Sequence, residues 1–341
     1  MKIRGATALA LFLLSVAIAA MGCSGPPSPP EVGEEFTICT APGEQSQPAI
    51  WGDVVVWQDM RNGPNYIHYD IYGYRFSTGA EFPICTEVTD QTMEHGQISP
   101  ATNGEFVVWT DGRSYGVHDW EIFGYDLSTE IEFPICTNPT WQYAAQIWGD
   151  IVVWGDYRRQ NHDIFGYYLG NGTEFTICTD PSTQFAPDIS GDTVVWIDKR
   201  NGNDDIYGYD MATGTEFAIC TDAAKQMNPA VWGDIVVWED LRSGNEDIYG
   251  YDIGSHTEFP VCTIAGRQCR PDIWGDIVVW YDDRNGSYDI YGYDLASLTE
   301  FPVCTETGPQ WFPDVWHDTV VWQDKRSDDW DIYGVVLSHG D

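Results

Sequence analysis

The sequence has few basic residues, with 16 Lys and Arg against 53 Asp and Glu, and its formal net charge is −37. Binding of nucleic acid requires clustered cations that displace counterions from phosphates, so this charge argues against nucleic acid as a partner. The same charge is repelled by anionic lipid. We therefore expect contact with a membrane to be made only through an anchor.

Long apolar runs are also scarce, because only the first 22 residues contain one. Lys2 and Arg4 precede this run and small residues follow it, which is the pattern of an export signal. Its last residues and Cys23 read A-M-G-C, which resembles a lipoprotein signal and implies lipid attachment to Cys23; ordinary cleavage and release is the alternative. Residues 23–34 are rich in Pro, Gly, Ser and Glu and are predicted to be a flexible tether. The predicted location is outside the cytoplasm, at the cell surface or on the periplasmic side of a membrane.

Helical spacing of apolar residues is absent as well, and a repeat takes its place. A short apolar segment, usually Val-Val-Trp, recurs seven times, and the last four intervals between its tryptophans are each 42 residues. The tryptophans are Trp57, Trp109, Trp154, Trp196, Trp238, Trp280 and Trp322. A period of this size is typical of propeller blades with four strands or of helical arrays.

One unit, residues 226–262, consists of four short segments rich in β-branched and aromatic residues and bounded by Gly, Asp, Asn or Ser. We label these strands A to D from the axis outward. The predicted fold is all-β, a monomeric seven-bladed β-propeller of four-stranded antiparallel blades over residues 35–341. Residues 35–40 read as a D strand and 331–337 as a C strand, so the N-terminal strand is predicted to complete the last blade.

The repeated pattern GDxVVWxDxRxGNxDIYGYDLxTGTEFPICT resembles the TolB-type β-propeller repeat of exported and cell-surface proteins. The resemblance covers all seven units and implies a propeller that binds another macromolecule. Propellers host many unrelated activities, so the functional site must be argued from its own residues.

The Trp-x-Asp-x-Arg motif of each unit precedes a second acid at the start of strand C, as in Asp240, Arg242 and Asp247. Paired carboxylates suggest calcium or acid–base catalysis. The arginine favours a structural clamp between the two acids, because its charge repels a divalent ion. No catalytic residue, metal site or cofactor is predicted, and calcium is kept as an alternative to the clamp. The C-strand glycine, such as Gly250, is interpreted as making room for a large ring, with the B-strand tryptophan as the candidate.

A glutamine opens strand A in every unit, and these side chains are predicted to form a ring at one mouth of the central channel. Such a ring could hold a ligand, although satisfying backbone groups at a tight loop is the favoured interpretation. The glutamines are Gln45, Gln97, Gln142, Gln184, Gln226, Gln268 and Gln310.

Seven cysteines occupy one position on the outermost strand of successive blades, where the spacing between blades is too large for a disulfide. They are predicted to be free thiols packed between sheets. They are Cys39, Cys85, Cys136, Cys178, Cys220, Cys262 and Cys304. Cys269 is the outlier, near the channel mouth.

The first three units depart from the repeat, and a ligand site on a symmetric scaffold must come from such departures. Histidines and aromatic residues in their loops are predicted to form a binding edge for protein or carbohydrate, with loop packing as the alternative. The candidates are Tyr66, His68, His95, His118, Trp120, Trp141 and His162.

Three functional classes follow. The leading one is a surface-tethered, non-enzymatic module that binds protein or glycan partners in the cell envelope. The second is a polysaccharide-active enzyme resembling the propeller-type oligogalacturonide lyases, although their clustered histidines have no clear match here. The third is a purely structural envelope protein.

Overall fold

The computed structural model describes residues 28–62, 68–86, 96–113 and 120–338. The short β-branched and aromatic segments form strands throughout, in seven antiparallel sheets that are the blades of a β-propeller. This confirms the predicted seven-bladed propeller of four-stranded antiparallel blades. Within the described residues there is no helix with the length and apolar character needed to cross a membrane.

The four strands of a blade follow the chain order from the axis outward, with β1 and β2 as the exception. The A strands are β3 (Gln45–Trp51), β7 (Gln97–Thr102), β11 (Gln142–Trp148), β15 (Gln184–Ser190), β19 (Gln226–Trp232), β23 (Gln268–Trp274) and β27 (Gln310–Trp316). The B strands are β4 (Val54–Asp59), β8 (Phe106–Asp111), β12 (Ile151–Asp156), β16 (Thr193–Asp198), β20 (Ile235–Asp240), β24 (Ile277–Asp282) and β28 (Thr319–Asp324).

The outer half of each blade consists of strands C and D. The C strands are β5 (Asp70–Arg75), β9 (Glu121–Asp126), β13 (Asp163–Tyr168), β17 (Asp205–Asp210), β21 (Asp247–Asp252), β25 (Asp289–Asp294) and β29 (Asp331–Ser338). The D strands are β6 (Ala80–Cys85), β10 (Ile131–Cys136), β14 (Thr173–Cys178), β18 (Thr215–Cys220), β22 (Thr257–Cys262) and β26 (Thr299–Cys304). We call the face with the D–A and B–C connections the loop face, and the opposite face, with the A–B and C–D turns, the turn face.

The ring closes in the seventh blade, where β1 (Glu31–Val32) and β2 (Phe36–Cys39) both pair with β29 and together act as its D strand. Gly33 lies between them and its N–H donates to the carbonyl of Val336 at 3.0 Å. Pairing therefore begins inside the segment predicted as tether. The reason is that β29 spans eight residues and offers a longer edge than the six-residue C strands of the other blades.

The core lies between blades. Each of its seven clusters joins two successive blades, as where Val195 and Ile206 of the fourth blade pack against Val231 and Trp238 of the fifth. The B-strand tryptophans are fully buried, and Trp238 donates its indole N–H to Asp240 at 2.9 Å. Burial of this apolar surface, with the polar atom satisfied, holds the blades together.

The C-strand glycines make room for a different ring from the one predicted. A Cβ on Gly250 would lie 2.5 Å from the ring of Phe259 on the neighbouring D strand, and the other C-strand glycines meet the equivalent phenylalanine. The predicted contact with the B-strand tryptophan is therefore wrong. The two residues are direct partners in the ladder between strands C and D, which brings the ring over the glycine.

Candidate functional site

The repeated arginine forms an ion pair inside its own blade. In the fifth blade, Arg242 donates to both carboxylate oxygens of Asp240, at 2.8 and 2.6 Å, and also to Glu258 on the D strand. Its guanidinium lies 4.2 Å from the ring centroid of Tyr249 and donates to the sulfur of Cys220 in the preceding blade at 3.2 Å. The side chain thus ties three strands of its own blade to the preceding blade.

The clamp is structural, as predicted, but its second partner differs from the prediction. Asp247 instead accepts from the side chain of Asn245 at 2.7 Å. Arg242 lies flat on the C-strand tyrosine and is thereby directed outward to the D strand. The seven glutamates in this position are Glu35, Glu81, Glu132, Glu174, Glu216, Glu258 and Glu300.

The calcium alternative is weighed most directly in the sixth blade, where several oxygen-bearing side chains follow strand B, and these side chains are paired with protein groups. Asp282 pairs with Arg284 at 2.5 Å and Asp283 with Arg267 at 2.9 Å, while Asn285 donates to Asp289 at 2.8 Å. Among the residues the structure describes, no three His, Cys, Asp or Glu side chains are arranged to hold a metal ion.

The eight cysteines within the described ranges are buried and form no disulfide, and Cys269 is one of them. Burial raises the pKa of the Cys220 thiol to about 12, so the group is neutral beside its arginine at ordinary pH.

The seven glutamines at the start of the A strands do not line the channel. All of them have an exposure of 0%. Gln226, for example, donates its side-chain N–H to the carbonyl of Ala224 at 2.9 Å, so it fastens the tight D–A loop to the start of strand A. The predicted ring at the channel mouth is therefore corrected, and five of the seven glutamines donate to a backbone carbonyl of the preceding loop.

The channel mouth is formed by the residue two positions after each glutamine. This residue has a left-handed backbone conformation in every blade, with φ between 48° and 54°, and lies at a β-bulge between strands A and B. The bulge breaks the alternation of side chains and turns this position toward the axis. The residues are Gln47, Ser99, Ala144, Ala186, Asn228, Arg270 and Phe312.

The mouth opens into a cavity of about 290 Å³ on the axis. Below the mouth the wall is formed by the residue that follows the A-strand proline or its equivalent. These residues are Ala49, Ala101, Gln146, Asp188, Ala230, Asp272 and Asp314. The blades are thus nearly identical in their interiors but differ along this wall.

Three carboxyl groups face the axis at this level. Asp188, Asp272 and Asp314 each accept a backbone N–H from the next blade, at 2.8, 2.8 and 2.6 Å. Burial raises the pKa of Asp188 to about 7, and it also raises the pKa of Asp272 and Asp314, with the nearby Asp272 charge raising that of Asp314 further. At neutral pH the Asp188 carboxyl group is therefore partly protonated.

Tryptophans at the ends of five A strands meet near the axis at the turn face. Trp51 lies edge-to-face against Trp148 and Trp274, with ring centroids 5.1 and 4.9 Å apart. Trp232 contacts Trp148 and Trp274, and Trp316 contacts Trp274. These rings narrow the channel at the turn face.

The predicted binding edge is partly assembled on the loop face of the second and third blades. Trp120 and Trp141 form an isolated backbone bridge, and Trp141 packs against Tyr157 with ring centroids 6.1 Å apart. Tyr157 in turn contacts His162 at 4.8 Å. Trp141 and Tyr157 are exposed by 41% and 39%, whereas burial lowers the pKa of His162.

The remaining candidates are not part of this group of rings. His68 is buried in the first blade, just before β5, with an exposure of 8%. Tyr66, His95 and His118 lie outside the described residues. Tyr157 was missed from the sequence because it follows the repeated Asp156 inside a motif interpreted as structural.

No protein-family model matches the sequence, and no curated protein matches it either. Solved structures do share the fold. The β-propeller domain of the Trilobed protease from Pyrococcus furiosus, which has an open velcro topology, is 14% identical with a TM-score of 0.68, over 89% of this chain and 96% of that one. An oligogalacturonate lyase in complex with manganese is 11% identical with a TM-score of 0.64, over 93% of this chain and 98% of the lyase.

An acylaminoacyl peptidase from Pyrococcus horikoshii is 13% identical with a TM-score of 0.65, over 87% of this chain and 51% of the peptidase. The chain therefore spans about half the length of that peptidase. At these identities the likeness shows the fold alone, a propeller shared with peptidases and with a lyase.

Proposed function

We propose that the protein is a non-enzymatic binding module that takes a protein or glycan partner of the cell envelope on its loop face. This proposal rests on the observation that the repeats differ at the channel wall and on the loop face. The clamp and the buried tryptophan recur in all seven blades, whereas the channel wall and the loop-face rings do not. A symmetric scaffold gains a specific ligand site only through such differences.

The proposal includes a TolB-like role outside the cytoplasm, with export directed by residues 1–22 and a lipid at Cys23 as the membrane anchor. Mass spectrometry of the protein from membranes tests this part. We expect an N-terminal lipidated cysteine; a mature chain that begins elsewhere and carries no lipid would contradict it.

The loop-face site is tested with the double variant Trp141→Ala/Tyr157→Ala. These side chains are exposed, so the fold is expected to survive their loss. Binding to arrays of defined glycans and purified envelope proteins should fall about ten-fold or more, because aromatic residues supply most of the binding energy at such sites.

The matched control is Ile131→Ala/Leu298→Ala, which removes exposed apolar side chains at the turn face. This variant should bind as the unaltered protein does. Equal losses in the two variants would contradict the placement of the site.

A polysaccharide-active enzyme is the second candidate, favoured by the likeness to a lyase over nearly the whole of both chains. Incubating the protein with acidic polysaccharides and divalent metal ions, and following new chain ends, tests it. Turnover above the background rate would support the enzyme and contradict the non-enzymatic binding module.

A further inference from the structure

A second group of aromatic side chains lies on the loop face, across the sixth and seventh blades. Phe312 at the channel mouth contacts Tyr281, Tyr281 contacts Tyr288, and Tyr288 contacts Trp311, with ring centroids 6.1, 5.1 and 6.1 Å apart. Trp311 then packs against Trp330 at 4.6 Å. These five rings, here called the aromatic track, run continuously from the channel mouth into the loops.

The track is confined to one sector of the ring. In the fifth blade, the positions equivalent to Tyr281, Tyr288 and Trp311 hold Glu239, Glu246 and Met227. Trp330 is 8% exposed and the other four rings are half-buried, so they are fixed in place while keeping part of their surface open. A set of rings held in this way can pack against a flat apolar surface of a ligand.

Three cations border the track. The guanidinium of Arg270 lies 5.1 Å from the ring centroid of Phe312, that of Arg267 lies 5.1 Å from Tyr288, and the ammonium of Lys325 lies 5.3 Å from Trp330. Arg267 is paired with Asp283 at 2.9 Å. In the described part of the chain, Arg270 and Lys325 form no ion pair.

This placement is selective in a chain that is so acidic. Apart from the seven clamp arginines and the two cations of residues 1–22, the sequence has only seven Lys and Arg residues. Three of the seven, Arg267, Arg270 and Lys325, border the aromatic track. The other four are Arg75, Arg159, Lys199 and Lys225.

We propose that the aromatic track binds an anionic glycan, with sugar rings packed on the tyrosine and tryptophan faces and acidic groups paired with Arg270 and Lys325. The inference rests on the proposed function, because it names a ligand class for the loop face. The net charge of −37 does not by itself exclude it, since at about 0.15 M salt the field of a charge decays over about 8 Å. The ligand therefore senses mainly the charges beside the track, which are the three cations and the carboxylates of Glu239 and Asp283 that lie next to Arg270 and Arg267. A glycan fits better than an acidic peptide because a pyranose offers a flat apolar face to an aromatic ring.

The test measures binding of the full chain by calorimetry at about 0.15 M salt. The probes are alginate, which carries carboxylates, dextran sulfate, which carries sulfates, and neutral dextran. We expect alginate or dextran sulfate to bind at least about ten-fold more tightly than dextran, because charge-assisted hydrogen bonds add to the ring contacts. Which of the two binds identifies the acidic group. Equal binding of dextran and dextran sulfate, with none of alginate, would overturn the proposal.

Arg270→Gln/Lys325→Gln should weaken binding of the anionic probe about ten-fold. The fold should persist, because Gln47 already occupies the position equivalent to Arg270 with the same φ of 51°. Arg75→Gln, which removes a cation at the turn face, should leave binding unchanged. A double variant that binds like the unaltered protein overturns the proposal.

Trp311→Ala tests the rings, and its melting temperature is measured alongside binding. It should weaken binding of the same probe while the Arg75→Gln control remains normal. If Trp311→Ala unfolds, Tyr288→Leu replaces it as the test of ring packing.

Poly-glutamate, with the same double variant, tests the peptide alternative. Binding of poly-glutamate as tight as that of the glycan would overturn the choice of a glycan. Failure of this inference can be distinguished from failure of the proposed function. If no anionic probe binds while Trp141→Ala/Tyr157→Ala abolishes binding of an envelope partner, the aromatic track is wrong and the loop-face function stands.

Discussion

The blade interiors and the channel wall are built from neighbouring positions of the same repeat, yet they differ in how strictly they repeat. All seven blades contain a buried tryptophan, an aspartate of 0% exposure and an arginine paired to it. A few residues away, the channel wall holds alanine, glutamine or aspartate at one level. Each blade buries the same interface, so the interior must repeat, whereas a ligand in the channel contacts all blades at once and can be recognised by their differences.

The largest expected effect is on stability, from Trp238→Ala in the repeated interior. The variant leaves a cavity between two blades and removes the indole donor to Asp240, so we expect a loss of about 3–5 kcal/mol. Trp141→Ala, on the variable loop face, should cost less than about 1 kcal/mol. Urea denaturation of both variants measures the difference, and similar losses would break the comparison between the two regions.

A second pair of variants compares two arginines. Arg242→Met removes the partner of buried Asp240 and should destabilise the protein by about 2–3 kcal/mol, which is less than for a fully buried pair because the arginine is partly exposed. Arg270→Met, at the channel mouth, should change stability by less than about 0.5 kcal/mol. Thermal melts of both variants at one pH measure the difference in stability. A normal melting temperature for Arg242→Met, together with a calcium-dependent shift that the variant lacks, would replace the clamp by a metal site.

The smallest expected effect is the pH dependence that Asp188 of the channel wall gives to the stability of the protein. Since the pKa of Asp188 is raised to about 7, from about 3.9 in the unfolded chain, the folded state binds its proton more tightly. The stability this group contributes is present below about pH 4 and is lost as pH rises through 7, where it must ionise beside Asp272 and Asp314.

Asp188→Asn should therefore stabilise the protein more at pH 8 than at pH 5, by about 1–2.5 kcal/mol. Asp192→Asn, at an exposed turn of the same blade, is the control and should show no such difference. Denaturant midpoints at the two pH values measure it. An Asp188→Asn variant whose pH dependence matches that of the unaltered protein would mean that water in the channel keeps the carboxylate solvated.

Much of the fold could be predicted from the sequence, because a 42-residue period with alternating strand and turn chemistry leaves few architectures. The clamp was predicted from Arg242 and Asp240, which are two residues apart on the chain. Its second partner was not, since the direction of a long side chain depends on the ring beneath it, here Tyr249. The aromatic ring that packs over Gly250 was predicted wrongly for a similar reason. Its identity depends on the register between strands C and D, which the sequence does not show.

The candidate site was harder to predict. Gln226 was expected at the channel mouth and Asn228 was not, because the sequence does not reveal the β-bulge at Asn228 that turns this residue toward the axis. The aromatic track was not predicted from the sequence, for another reason. Tyr288 and Trp311 come from different units, and neither is unusual until the ring brings them within contact.

If Cys23 carries the proposed lipid, strand β1 fixes the side of the propeller from which the anchor leaves. Glu31 and Val32 pair with the last residues of β29, so the chain enters the seventh blade from the turn face. The eight residues from Cys23 to Pro30 reach at most about 29 Å when extended. A lipid at Cys23 would thus attach the protein on the side of the five tryptophans, opposite the channel mouth and the aromatic track beside it.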